Sequence, residues 1–195
     1  MKNKMKVLVL LGSPRKKGNS AALAEQITKG ARISGAKVET IHLHGMNIKP
    51  CKSCYACQKP NSKGCSINDD MQKIYSQMLE SQAWVIASPV YWFTMSAQMK
   101  LWMDRCFAFP AYGVNPFSGK RIAIAMSYGG EDPFDSGCVN ALRTFQDAFG
   151  FVKSTIVGMV YGSAMEEGEI KLNKALMESA YELGQKLVNE ADEPA

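Results

Sequence analysis

The stretch Gly12-Ser13-Pro14-Arg15-Lys16-Lys17-Gly18-Asn19-Ser20, directly after the apolar run Met5 to Leu11, decides how this chain is read. A buried strand that ends in a small, basic, glycine-bearing turn and restarts as a helix leaves several backbone N–H groups aimed at one point. Arg15, Lys16 and Lys17 add positive charge there, Ser13, Asn19 and Ser20 add donors, and the helix dipole favours an anion. Residues 12–20 are therefore expected to cradle a phosphate. An ordinary strand-to-helix turn with Asn19 as N-cap carries the same signature. The stretch contains neither Gly-x-Gly-x-x-Gly nor Gly-Lys-Ser/Thr, and no acidic residue caps the second strand, so a lone phosphate fits better than a pyrophosphate.

Outward from this turn, short apolar runs alternate with amphipathic segments. Met5 to Leu11, Val38 to Leu43, Ala83 to Ser88, Arg121 to Ser127 and Lys153 to Tyr161 are predicted as strands. Helices are expected between them. Leu23, Ile27 and Ala31 recur at intervals of four; Asn68-Asp69-Asp70 precedes Met71, Ile74, Tyr75, Met78 and Leu79 as a capping segment; Met95 to Cys106 is apolar nearly all round. Cys138 to Phe149 carries Ala141, Leu142, Phe145 and Phe149 on one stripe, and Leu172, Leu176, Leu183 and Leu187 mark the last helix. Strands that are apolar throughout, joined by helical crossovers, indicate a parallel sheet covered on both faces. The polar, acidic tail Asn189 to Ala195 is expected to fray.

The bulk numbers bound the answer further. The 195 residues are 46% hydrophobic and 21% charged, enough for one domain, 1–195, with a sizeable core. No apolar run approaches the roughly 20 residues of a membrane helix, and the basic N-terminus enters a strand without a cleavable apolar segment. The expectation is a soluble, cytoplasmic protein without a membrane partner. A net charge of +5 with one short basic patch argues against a nucleic-acid partner.

In a sheet of this kind ligands sit beyond the carboxyl ends of the strands. Two further loops join the cradle there. Ser88-Pro89-Val90-Tyr91-Trp92-Phe93-Thr94 sets three consecutive aromatics behind a proline, suited to a planar ring system or to sealing a core or subunit contact. Tyr128-Gly129-Gly130-Glu131-Asp132-Pro133 has paired glycines that admit close backbone approach, or make a plain turn.

Four of the six cysteines, Cys51, Cys54, Cys57 and Cys65, follow C-x2-C-x2-C-x7-C in a Pro- and Gly-bearing loop at about 45–68. Three thiolates at intervals of three with a fourth nearby suit an iron–sulfur cluster; zinc and free thiols stay open beside it. Cys106 and Cys138 are expected to be core residues. His42 and His44 alternate with Ile41 and Leu43 as a solvated strand end, and Asp104 with Arg105 as a structural or capping pair. Phe107 to Tyr112 suits a cover over a ligand or a subunit contact.

Strand, Gly-Ser-Pro-Arg-x-x-Gly-Asn-Ser, helix, then strand, Ser-Pro-Val-Tyr and a helix with Met-Lys-x-x-x-Asp-Arg, resembles the flavodoxin-like NAD(P)H-dependent FMN reductase family from about Lys6 to Tyr161. The cysteine loop followed by Asp69-Asp70-Met71 resembles its iron–sulfur flavoprotein branch. The resemblance implies a doubly wound five-stranded parallel sheet of order 2-1-3-4-5 with helices on both faces. It implies FMN, its phosphate held by Ser13, Arg15, Gly18, Asn19 and Ser20, and its rings by Pro89, Val90, Tyr91, Trp92, Phe93 and Thr94, with Ser127, Gly129 and Gly130 on the remaining edge. The expected activity is an oxidoreductase passing electrons from NAD(P)H through FMN to a small-molecule acceptor such as a quinone, nitro compound or flavin, with flavin-centred chemistry and no catalytic side chain. The alternative is an iron–sulfur flavoprotein with a 4Fe-4S cluster on the four cysteines and a ferredoxin-like partner. A homo-dimer or tetramer is expected.

Overall fold

Along β1 (Lys6–Leu11) the side chains alternate between two apolar surroundings, and this alternation sets the layers. Val7, Val9 and Leu11 pack on one side with the helices α1 (Asn19–Ile33) and α5 (Lys174–Asn189). Leu8 and Leu10 pack on the other with α2 (Met71–Glu80), α3 (Ala97–Arg105) and α4 (Cys138–Phe151). The computed structural model describes residues 4–113 and 115–189; the expected fraying beyond Asn189 falls on 190–195, outside them.

The remaining strands are β2 (Lys37–His42), β3 (Ala83–Tyr91), β5 (Arg121–Tyr128) and β6 (Thr155–Ser163), and they run parallel in the order β2-β1-β3-β5-β6. Leaving aside a two-residue β4 (Thr94–Met95) that folds back antiparallel on β3, this is the expected doubly wound order. β3 runs three residues beyond its expected end and passes through Pro89. The ladder to β1 stops at Leu11 opposite Ala87, so Pro89 is paired on one side only, opposite Ser127, the edge condition in which a strand tolerates proline.

Two features of the packing were not visible in the hydrophobic periodicity. Helices α1 and α5 touch backbone to backbone: a Cβ at Gly30 would meet Tyr181 O at 2.0 Å, and one at Gly184 would meet Ile27 O at 2.0 Å. Adjacent cations at the start of β5 close helices on opposite faces. Lys120 Nζ donates to Met78 O at 3.0 Å and to Ser81 O at the end of α2, while Arg121 donates to Leu187 O and Lys186 O, both at 2.9 Å, at the end of α5.

Several local expectations need correction. Leu172 stands in a tight turn before α5 and is exposed, and Leu79 lies at the rim of its helix rather than on its buried face. α3 is shorter than the apolar run, because Met95 belongs to β4 and Ser96 caps the helix. Phe109 is core and Phe107 is exposed, so the segment 107–112 is divided between interior and surface. Cys138 is buried and Cys106 packs against the core, as expected. Among the described residues no helix is long and apolar enough to cross a membrane.

Candidate functional site

The loops after β1, β3 and β5 lie together at the carboxyl edge of the sheet. The first is tied to β3 and folded by short-range bonds: the Gly12 N–H donates to Ala87 O at 2.8 Å, the Arg15 N–H to Ser13 Oγ at 3.1 Å and the Gly18 N–H to Arg15 O at 3.1 Å. Gly18 is the N-cap of α1, and the Ala22 N–H is the first to bond back, to Gly18 O at 3.0 Å. The N–H groups of residues 19–21 therefore have no partner one turn earlier. Ser13 and Ser20 are buried beside them, while Arg15, Lys16 and Lys17 are exposed. Burial, with the positive charge of Lys16 and then of His44, holds the His42 imidazole below its usual pKa. His44 Nδ1 pairs with Gln98 Nε2 at 3.1 Å.

The Asn19 side chain points elsewhere. Its Nδ2 donates to Glu166 O at 2.8 Å and Ala164 O at 3.3 Å, and its Oδ1 accepts from the Ile170 N–H at 3.3 Å. The amide thus ties the segment after β6 to the start of α1, and what remains of Asn19 for an anion is its backbone N–H. Its partners lie 145 or more positions away, so the local motif gives no sign of them.

A second loop is strained. Tyr91 and Thr94 pair across a two-residue turn in which Trp92 (φ 48°) and Phe93 (φ 66°) are both left-handed. A hairpin turn of this type ordinarily takes Asn-Gly, and a left-handed L-residue costs roughly 1–2 kcal/mol. The turn is held from α4: Asn140 Nδ2 donates to Phe93 O at 3.3 Å, and a Cβ at Gly137 (φ 76°) would lie 2.3 Å from Phe93 Cα. Trp92 remains 91% exposed. Bulky aromatics held in an unfavourable backbone and left in solvent make this turn a candidate functional surface.

Ser96 joins the first two loops. Fully buried, it donates from Oγ to Gly12 O at 2.7 Å and accepts there from the Met99 N–H, while its own N–H donates to Ser88 Oγ at 3.0 Å. Beyond the hairpin, a groove of about 660 Å³ is lined by Val90, Trp92, Phe93, Gly129, Gly130 and Ser136, with Glu131, Asp132 and Asp135 at its mouth. Of the other expected ring contacts, Pro89 and Ser127 are buried in their strands and Tyr91 and Thr94 flank the turn; none lines the groove, and residues 12–20 do not either.

The cysteine loop forms a separate site. Cys51, Cys54, Cys57 and Cys65 all line one cavity of about 360 Å³, together with Lys52, Tyr55, Arg105 and Phe107. The loop bends through left-handed Ser53, Tyr55 and Asn61 and is fixed by side chains: Gln58 Nε2 donates to Phe107 O at 2.9 Å, Gln72 Nε2 to Cys65 O at 3.0 Å, and the Cys65 N–H to Tyr112 Oη at 3.3 Å. Hydrogen bonds from Ser66 and the Ala56 N–H, aided by Lys52, hold the Cys54 thiol below its usual pKa. Among the described residues no three His, Cys, Asp or Glu side chains are gathered tightly enough for one metal ion. The cavity is lined by the four cysteines, by the cations Lys52 and Arg105 and by the anion Asp104.

Behind this loop the expected Asp104–Arg105 pair divides. Asp104 faces solvent and pairs with Lys100 at 2.5 Å. Arg105 is buried against Asp69 at 2.5 Å. Asp69 also accepts from the Met71 N–H at 3.0 Å and the Lys49 N–H at 2.9 Å, whereas Asp70 accepts from the Asn47 N–H at 2.7 Å. The capping role predicted for residues 68–70 thus belongs to Asp69, which combines it with the ion pair.

Residues 5–169 match the family described as NADPH-dependent FMN reductase. An iron–sulfur flavoprotein of Archaeoglobus fulgidus is 35% identical over 127 residues, 65% of this chain and 52% of the relative. One from Methanocaldococcus jannaschii is 32% identical over 145 residues, 74% of this chain and 71% of the relative. The chain spans about half the length of the Archaeoglobus relative it matches. Among solved structures, an NAD(P)H:quinone oxidoreductase from Methanothermobacter marburgensis superposes with a TM-score of 0.76 at 19% identity, covering 98% of this chain and all of that one, a likeness of fold.

Proposed function

The chain belongs to the NADPH-dependent FMN reductase family, in its iron–sulfur flavoprotein branch, and on that premise we propose that it is an FMN-dependent oxidoreductase whose electrons leave through a centre bound by Cys51, Cys54, Cys57 and Cys65. The observation that carries this reading is the single cavity lined by all four cysteines.

The residues present fit both groups. The unpaired N–H groups of residues 19–21, with Ser13, Ser20 and the Arg15 cation, would hold the FMN phosphate. Val90, Trp92, Phe93, Gly129 and Gly130 would hold the rings, with the strained turn presenting its aromatics at low entropic cost because α4 already fixes it. When bound, FMN supplies the acceptance of a hydride from NAD(P)H and the release of single electrons, and an iron–sulfur cluster supplies a one-electron path. Lys52 and Arg105, which line the cavity with the four cysteines, would offset the negative charge of a bound cluster.

The groove supports a second acceptor class. Its open mouth and the exposed Trp92 leave room for a small planar oxidant such as a quinone, a nitro compound or free flavin. Anaerobic NADH and NADPH oxidation with a ferredoxin and with a quinone separates the two routes. In the Cys54→Ser/Cys57→Ser chain, ferredoxin reduction is expected to cease while quinone reduction continues. Undiminished ferredoxin reduction in that variant would exclude the cysteine centre as the exit.

A further inference from the structure

We infer that Arg105 is the positioning residue of the cysteine centre, holding Cys65 from the protein side and setting the reduction potential of the group the four sulfurs carry; this rests on the cluster reading above. The sequence pattern suggested a structural or capping pair with Asp104. In the fold its guanidinium is 1% exposed and makes four contacts. Nη1 donates to Asp69 Oδ2 at 2.5 Å and to Lys49 O at 2.8 Å, and Nη2 donates to Asp69 Oδ1 at 3.2 Å and to Cys65 Sγ at 3.4 Å.

The placement of these partners matters more than their number. Lys49 stands two residues before Cys51, and Asp69 stands four residues after Cys65. One planar fork therefore clasps the segment at both ends and touches the sulfur that closes it. The backbone of Arg105 is itself fixed, because the buried Tyr75 hydroxyl donates to Arg105 O at 2.7 Å. Its Nε has no hydrogen-bond partner among the described residues, so the group is committed through the two Nη atoms that face the loop.

An ion pair serving the fold alone would be complete with Asp69. The contact to Cys65 goes further, since an N–H donor on a ligating thiolate withdraws electron density and stabilises the more negative, reduced form of a cluster. Burial keeps that charge from being screened by solvent. Lysine lacks the planar fork and serves one acceptor direction at a time, so it can retain the Asp69 pair while releasing the sulfur.

The test uses the full chain purified without oxygen, as wild type, Arg105→Lys and Asp69→Asn. Iron and acid-labile sulfide are determined, and the midpoint potential is read by titration followed by electron paramagnetic resonance. In Asp69→Asn the amide oxygen can still serve the Lys49 N–H and Arg105 Nη1, but the Met71 N–H and Nη2 lose their carboxylate acceptor, so this change weakens the ion pair while leaving Cys65 Sγ as the remaining acceptor of Nη2. The expected result is a potential moved to more negative values in Arg105→Lys, with Asp69→Asn close to wild type. Loss of iron from Arg105→Lys alone supports the inference equally. An unchanged potential in Arg105→Lys, or equal shifts or equal loss of iron in both variants, would assign Arg105 to the fold alone. Iron-free wild-type protein would instead overturn the cluster reading beneath it.

Discussion

The two sites are built by different means. The turn after β1 and the aromatic hairpin grow directly from the ends of β1 and β3, where the ladder bond from Gly12 N–H to Ala87 O and the buried Ser96 join them. The cysteine loop, between β2 and α2, has little regular structure beyond two short turns and is placed by side chains from distant elements, Arg105, Gln72 and Tyr112 above all. The first site is a property of the sheet and should survive changes in the second. The second is a property of a few buried polar contacts and should be sensitive to each of them.

The sharpest way to break this contrast is to remove ligands from the cysteine loop. Cys54→Ser with Cys57→Ser is expected to abolish bound iron while FMN content stays at the wild-type level, read by metal analysis and flavin absorbance. Loss of both cofactors together would mean that the sites are one cooperative unit. The converse variant, Arg15→Ala with Ser20→Ala, should weaken FMN by about 3 kcal/mol or more, at roughly 1.5–3 kcal/mol per charge-assisted bond, with iron retained. Flavin titration by fluorescence quenching checks it, and an unchanged Kd would remove the phosphate from this loop.

Acid should act mainly on the second site. Burial pushes the Asp69 carboxyl up, but the hydrogen bonds from Arg105 and the Lys49 N–H, with the Arg105 charge, outweigh it and leave the pKa below the ordinary value. A carboxyl lowered on folding contributes stability that is fully present above its unfolded pKa, about 3.9, and is lost as pH falls through the folded value. Stability measured by denaturant between about pH 5 and pH 2 should therefore fall less steeply in Asp69→Asn than in wild type. Equal slopes would mean that Asp69 is not the linked group.

A smaller effect of opposite sign is expected at the hairpin. Replacing Trp92-Phe93 by Asn-Gly relieves two left-handed aromatics and should stabilise the FMN-free protein by about 1–2 kcal/mol, roughly 2–8 °C in Tm. The same change should weaken FMN binding. A lower Tm in the FMN-free state would show that the turn is not strained.

The same contrast explains what could be read from the residues in order. β1 and α1 are local: Met5 to Leu11 and Leu23, Ile27 and Ala31 declare themselves by period, and a parallel sheet follows from strands apolar on both faces. The turn from β1 into α1 was legible because it is one continuous backbone segment. The hairpin was only half legible: three aromatics in a row signalled a surface to be covered, but left-handed Trp92 and Phe93 contradict their own propensities and are imposed by Gly137 and Asn140 of α4. Asn19 and Arg105 illustrate the rest. Each carries a motif-like sequence context, yet the side chain of each is committed to partners 36 to 151 positions away, which no local pattern encodes.

The most direct test of the proposal that this chain carries two independently built redox sites is its cofactor content after purification without oxygen. The account predicts about one FMN, with about four iron and four sulfide per chain, the content of one cubane on four cysteines. Yellow protein free of iron, or protein carrying one zinc in place of iron, would contradict it.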